Sequence, residues 1–147
     1  MPHKLRVLVA ARAGWRCEYC LAPEAIFNSP LEVEHIQPKE SGGADEAWNL
    51  ALACRSCNGS KYLATTARDP LRGRMVRLFN PRTDGWDEHF VFKARTAEIG
   101  GRTAIGRATA ARLRMNGPKQ REARRLWMLL FSFPDAPPIA YGGDDPC

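Results

Sequence analysis

Two C-x-x-C pairs, Cys17/Cys20 and Cys54/Cys57, constrain this chain more than any other feature in it. In a knuckle of this spacing both sulfurs can turn toward one ion, and two knuckles complete a tetrahedral four-cysteine shell, the arrangement zinc prefers. Such a shell leaves no coordination position for water, so the expected Zn²⁺ is structural. A redox C-x-x-C comes singly beside a βαβ pattern, and no such pattern surrounds either pair. The fifth cysteine, Cys147, stands alone at the C-terminus and is expected to be uninvolved. With 147 residues the chain has room for one ordinary domain, or for a small metal-supported module with an extension packed beside it. A large multidomain enzyme is excluded.

Charge carries the next constraint. Lys and Arg number 22 against 16 Asp and Glu, a formal net charge of +6, which favours a polyanionic partner. The sign is segregated: Glu18, Glu24, Glu32, Glu34, Glu40, Asp45 and Glu46 make an acidic stretch, whereas Arg102 to Arg125 is densely basic. An acidic island with a basic surround suits a cation site that meets a polyanion. The longest apolar run, Leu126 to Phe131, is far short of the ~20 residues that cross a bilayer. Lys4 and Arg6 before Val7–Ala11 imitate a signal peptide, but Arg12 ends the apolar stretch too soon. A cytoplasmic protein with an amphipathic N-terminal helix is the expectation.

The pattern predicts a helix over Lys4–Ala13 stopped by Gly14, and a half-buried strand over Leu31–Ile36 that Pro38 ends. A loop over 40–45, a second strand over Leu50–Ala53 and a helix from Asn58 to about Ala67 follow. Beyond a connector at Asp69-Pro70, His89–Lys93 and Ala97–Ile99 read as a hairpin. Thr103 should cap a helix reaching Met115, and Pro118 should open another, with Ala123, Leu126, Trp127, Leu130 and Phe131 on its core face. The four tryptophans are read as core, and the chain after Pro134 as a frayed tail. The predicted class is α+β, with one unit over 1–68 and a basic extension over 69–147 packed on it.

The residues between the knuckles are more specific. Glu34-His35-Ile36-Gln37-Pro38, Gly42-Gly43, Asn49-Leu50, Cys54-Arg55-Ser56-Cys57-Asn58 and Lys61, in this order and spacing, resemble the HNH endonuclease family, in its zinc-bearing four-cysteine subgroup. The likeness covers about Arg16 to Lys61 and implies a ββα-metal core that hydrolyses phosphodiesters of DNA. By that resemblance His35 is the general base, since an imidazole can take a proton at neutral pH. Glu34 and the side-chain oxygen of Asn58 would hold a Mg²⁺ or Mn²⁺ ion completed by substrate phosphate. Asn49 would orient the His35 imidazole without touching substrate. Glu stands where many family members have Asp before the histidine, and Asn58 where others have His.

Nucleic-acid contacts are expected from Arg55 and Lys61 in the motif, and from Arg107, Arg114, Arg121, Arg124 and Arg125 in the extension, docking the substrate across the acidic island. The partner is nucleic acid, with neither a membrane nor a small-molecule substrate implied. The competing reading is a zinc-stabilised nucleic-acid-binding module without catalysis.

Overall fold

The computed structural model describes residues 2–134. A first helix, α1 (His3–Arg12), ends as the sequence predicts, with Gly14 at φ +64° turning the chain into the first knuckle. The knuckle closes by Cys17 N–H donating to Ala22 O and Leu21 N–H to Cys17 O, each at 2.9 Å. Strands β1 (Glu32–His35) and β2 (Leu50–Ala53) pair antiparallel, with Glu34 opposite Ala51 and His35 opposite Leu50. Every residue of β2 is fully buried, which explains its unbroken Leu-Ala-Leu-Ala composition: it has no solvent face. Helix α2 (Arg55–Lys61) follows the second knuckle directly.

A second hairpin, β3 (Thr66–Arg68) with β4 (Met75–Arg77), comes next. The sequence reading carried α2 through this segment to Ala67 and started it at Asn58. Both ends differ because the Cys54 Sγ caps the helix three residues earlier, accepting from Cys57 N–H, and Tyr62 leaves helical geometry at φ +51°. Position 68, the division between the two units expected from sequence, falls inside this hairpin. A short helix α3 (Trp86–His89) leads to the hairpin β5 (Phe90–Lys93) and β6 (Glu98–Gly101). Helix α4 (Ala104–Arg112) is capped by Thr103, whose hydroxyl accepts from Gly106 N–H, and α5 (Pro118–Leu130) starts on its proline. The fold is thus α+β, a set of small hairpins braced by helices around the knuckles.

One hydrophobic cluster runs through both halves. Tyr19 and the knuckle cysteines lie in it with Leu50 and Leu52, and so do Phe79, Phe90, Ile99, Leu113 and Trp127. Polar ties cross the same boundary: Trp86 Nε1–H donates to Tyr19 O at 2.8 Å, Glu18 pairs with Arg82, and Gln120 donates to Ser56 Oγ at 2.9 Å. Asp69, fully buried, takes a bidentate contact from Arg107 with both N···O distances 2.9 Å, which holds its carboxyl down to about 2.

Helix α5 departs from expectation in its rotation. Leu126 and Leu130, assigned to the core face, are exposed together with Leu129, while Arg124 is buried beside Trp127. The guanidinium of Arg124 donates to Ala97 O, Met115 O and Asn116 Oδ1, the last of which also accepts from Ile99 N–H at 2.8 Å. Trp48, read as core, is 66% exposed, and the expected frayed tail and Cys147 lie outside the described residues. No helix among the described residues is long and apolar enough to cross a membrane.

Candidate functional site

The four knuckle cysteines are buried, and their sulfurs all lie within 4.8 Å of one another. A tetrahedron of ~2.3 Å Zn–S bonds places its sulfurs about 3.8 Å apart, and Cys20 and Cys54 stand at 3.6 Å. Charge makes the same point. Thiol hydrogen bonds from its three neighbours hold Cys54 far below an ordinary thiol, while hydrogen bonds within the cluster, from Cys17 above all, and burial push Cys20 and Cys57 well up. Four buried thiolates cannot coexist without a cation, and a central Zn²⁺ supplies one. The donor set therefore fits zinc, held by Cys17, Cys20, Cys54 and Cys57, where it would supply folding energy.

Strand β1 points alternate side chains to opposite faces. Glu34 faces inward, 4% exposed, between the Tyr19 hydroxyl, which donates to Oε1, and the Lys61 ammonium, 2.9 Å from Oε2. Lys61, 1% exposed, also donates to His35 O at 3.1 Å and Ile36 O at 3.2 Å. Burial pushes the Glu34 carboxyl up against the pull of Lys61, and burial beside Glu34 raises the Tyr19 phenol. An ammonium already balances the Glu34 carboxylate. Asn58 donates through Nδ2 to Glu32 Oε2 at 2.6 Å, which engages its amide nitrogen and not the Oδ1 expected to hold a cation. Glu34 thus spends its carboxylate on Lys61 and Tyr19, and Lys61, buried, is closed to phosphate.

His35 faces the other way. Its Nε2 lies 2.6 Å from Asp45 Oδ1, and Lys39 Nζ holds Oδ2 of the same carboxylate at 2.7 Å. An ionised carboxylate can only accept, so the neutral imidazole carries its proton on Nε2 and keeps its lone pair on Nδ1. The hydrogen bonds from Lys39 and His35 lower the Asp45 carboxyl, which keeps it ionised for this task. Asp45 was seen in the sequence only as an acidic loop residue. The signal that could have found it is its place between Gly42-Gly43 and Asn49.

Asn49 explains that place. Its Oδ1 accepts from Gln37 N–H at 2.9 Å, and its Nδ2 donates to Gln37 O and Ala44 O, both at 3.0 Å. It pins the two ends of the 37–44 loop together rather than touching the imidazole as expected, and so delivers Asp45 to His35. Gly43 is required by the clamp: a Cβ there would stand 1.8 Å from Gln37 O and 2.9 Å from Asn49 Nδ2. Gly42 turns the loop at φ +86°.

The arginines expected to dock nucleic acid divide in two. Arg124 is buried, Arg107 is locked on Asp69, Arg121 stands 3.9 Å from Glu98 and Arg125 3.5 Å from Glu122. Arg124 and Arg107 are therefore structural, not phosphate contacts. Arg55 and Arg114 remain exposed. The acidic stretch is also largely neutralised from within, by Glu18–Arg82, Glu24–Arg6, Glu34–Lys61 and Asp45–Lys39.

Compared with known families, residues 17–62 match the model of the HNH endonuclease. No curated protein and no solved structure matches the chain.

Proposed function

We propose, from the premise that residues 17–62 are an HNH endonuclease domain whose four cysteines fit zinc, that the chain hydrolyses phosphodiester bonds of DNA with His35 as general base. The observation that carries this is the His35–Asp45 contact, 2.6 Å long, on the face of β1 that opens to solvent. Asp45 fixes the tautomer and orientation of the ring and stabilises the imidazolium formed when Nδ1 takes a proton from the attacking water. Asn49 and Gly43 hold Asp45 in register, so they are positioning residues. Glu34, paired with Lys61, is not assigned a catalytic cation.

The Glu34–Lys61 pair favours a second reading, a zinc-stabilised nucleic-acid-binding module without catalysis, because it spends on an ammonium the carboxylate that the family resemblance gives to a cation. Supercoiled plasmid incubated with Mg²⁺ or Mn²⁺, with and without EDTA, separates the two. Metal-dependent nicking that His35→Ala lowers by about 10²–10⁴-fold supports the nuclease. Retained DNA binding with no nicking under any metal supports the binding module.

A further inference from the structure

Where α2 ends, Tyr62 takes φ +51° and ψ −118°, a conformation an aromatic L-residue rarely adopts, while its N–H still donates to Asn58 O at 2.9 Å. The turn does not serve the core, because the ring is thrown outward and is 71% exposed. It forms one wall of a cleft of about 390 Å³ lined by Gly59, Ser60, Tyr62, Arg112 and Arg114. Arg112 and Arg114 are both exposed, and neither forms an ion pair among the described residues; Arg112 makes only a long contact to Lys61 O, at 3.5 Å. They differ in this from Arg107, Arg121 and Arg125, whose carboxylate partners are on hand.

An open aromatic face, two guanidiniums without carboxylate partners and a hydroxyl are complementary to a base and its phosphate. A base inside a duplex has both faces covered by its neighbours, so only an unpaired base can use the ring. The cleft also lies close to the proposed chemistry: Tyr62 follows Lys61, whose ammonium donates to the backbone carbonyl of His35. Lys61 thus links the end of α2 that carries the cleft to the strand that carries His35.

We infer that this cleft is a subsite for an unpaired nucleotide, with its base stacked on Tyr62 and its phosphate held by Arg112 and Arg114. The inference rests on the reading that the chain acts on nucleic acid, and it gives that reading a substrate preference: strands with unpaired nucleotides beside the cleavage point over continuous duplex.

The test is binding of the full chain, without added divalent metal, to a labelled single-stranded oligonucleotide and to the blunt duplex of the same sequence. DNA and RNA single strands run in parallel identify the sugar preferred. Tyr62→Ala should weaken single-strand binding by about 5–100-fold and leave duplex binding unchanged, and Tyr62→Phe should bind as wild type. Arg112→Ala with Arg114→Ala should flatten the single-strand slope of log affinity against log salt by about 0.7 per lost contact. Circular dichroism and zinc content identify any variant that has lost its fold. The proposal is overturned if folded Tyr62→Ala binds single strands as wild type does, or loses duplex binding equally. It is overturned too if Tyr62→Phe fails like alanine, or if the wild type binds neither strand. Failure of the nuclease reading looks different: the Tyr62 effect on binding is present, but no phosphodiester is cut.

Discussion

The two faces of β1 use neighbouring residues in opposite ways. On the inner face, Glu34 is sealed with Lys61 and Tyr19 and serves to tie α2 to the strand and to the loop after it. On the outer face, one residue later, His35 meets an exposed carboxylate delivered by a clamped loop. The pleat alone separates them, so a Glu-His dipeptide that reads as one catalytic unit becomes a buried structural pair and a solvent-facing pair, the one proposed to react. Chemistry needs access to solvent, and only one of the two has it.

Removing what both faces stand on should have the largest effect. The knuckles anchor β2 and α2, and apparent zinc binding in small modules is worth about 10–16 kcal/mol of folding energy. Cys54→Ser with Cys57→Ser should therefore abolish folding and lose stoichiometric zinc, read by elemental analysis and circular dichroism. A folded, zinc-free variant would refute the metal assignment.

Breaking only the inner face should be smaller but still severe. Lys61→Met leaves Glu34 buried without its counter-charge, and removing one partner of such a pair is destabilising by about 3–5 kcal/mol. Adding Glu34→Gln should restore much of that loss in a denaturant titration, because what hurts is the orphaned charge. No rescue would mean that the pair is not the structural unit described.

Loosening the outer face should spare stability and lower activity. Asp45→Asn keeps the shape of the side chain but lets the amide donate to the imidazole, which frees the wrong tautomer. Cleavage should fall on the order of 10–10²-fold with an unchanged melting temperature. A melting temperature that falls with the activity would place Asp45 in the fold rather than the chemistry.

The smallest effect belongs to a pair away from both faces. The Asp69 carboxyl, near ~3.9 when unfolded, is held to about 2 by Arg107. Its folded value is depressed, so its contribution is complete above pH ~4 and disappears as pH falls toward 2. Asp69→Asn should shrink the acid destabilisation in that window and change nothing in the pH dependence of cleavage near neutrality.

Much of this was legible in the sequence, for identifiable reasons. The knuckle spacing announced a metal cluster, the apolar run Leu50–Ala53 a buried strand, and Thr103 and Pro118 the starts of two helices. The β3–β4 hairpin was not legible because its strands are three residues long and mostly exposed, with no apolar alternation to read. Partner choice was equally hidden. Arg124 lies three residues from Trp127 and reads as a solvated charge until the carbonyls of Ala97 and Met115 that it satisfies are seen beneath it. Local acidity misled in the same manner, since Glu18 and Glu24 find their bases at Arg82 and Arg6, distant in sequence. Asn49 and Gly42-Gly43 stand out in the motif, but their task of holding a loop is a property of backbone contacts that a motif does not display.

The central claim is that the reactive face of β1 is the one bearing His35. One plasmid-nicking assay on two variants tests it: His35→Ala, and Glu34→Gln combined with Lys61→Met, each checked for zinc content and folding. The account predicts a loss of about 10²–10⁴-fold for His35→Ala at unchanged zinc content, with substantial activity retained by the folded double variant. Wild-type nicking by His35→Ala, or complete loss in a folded double variant, would contradict it.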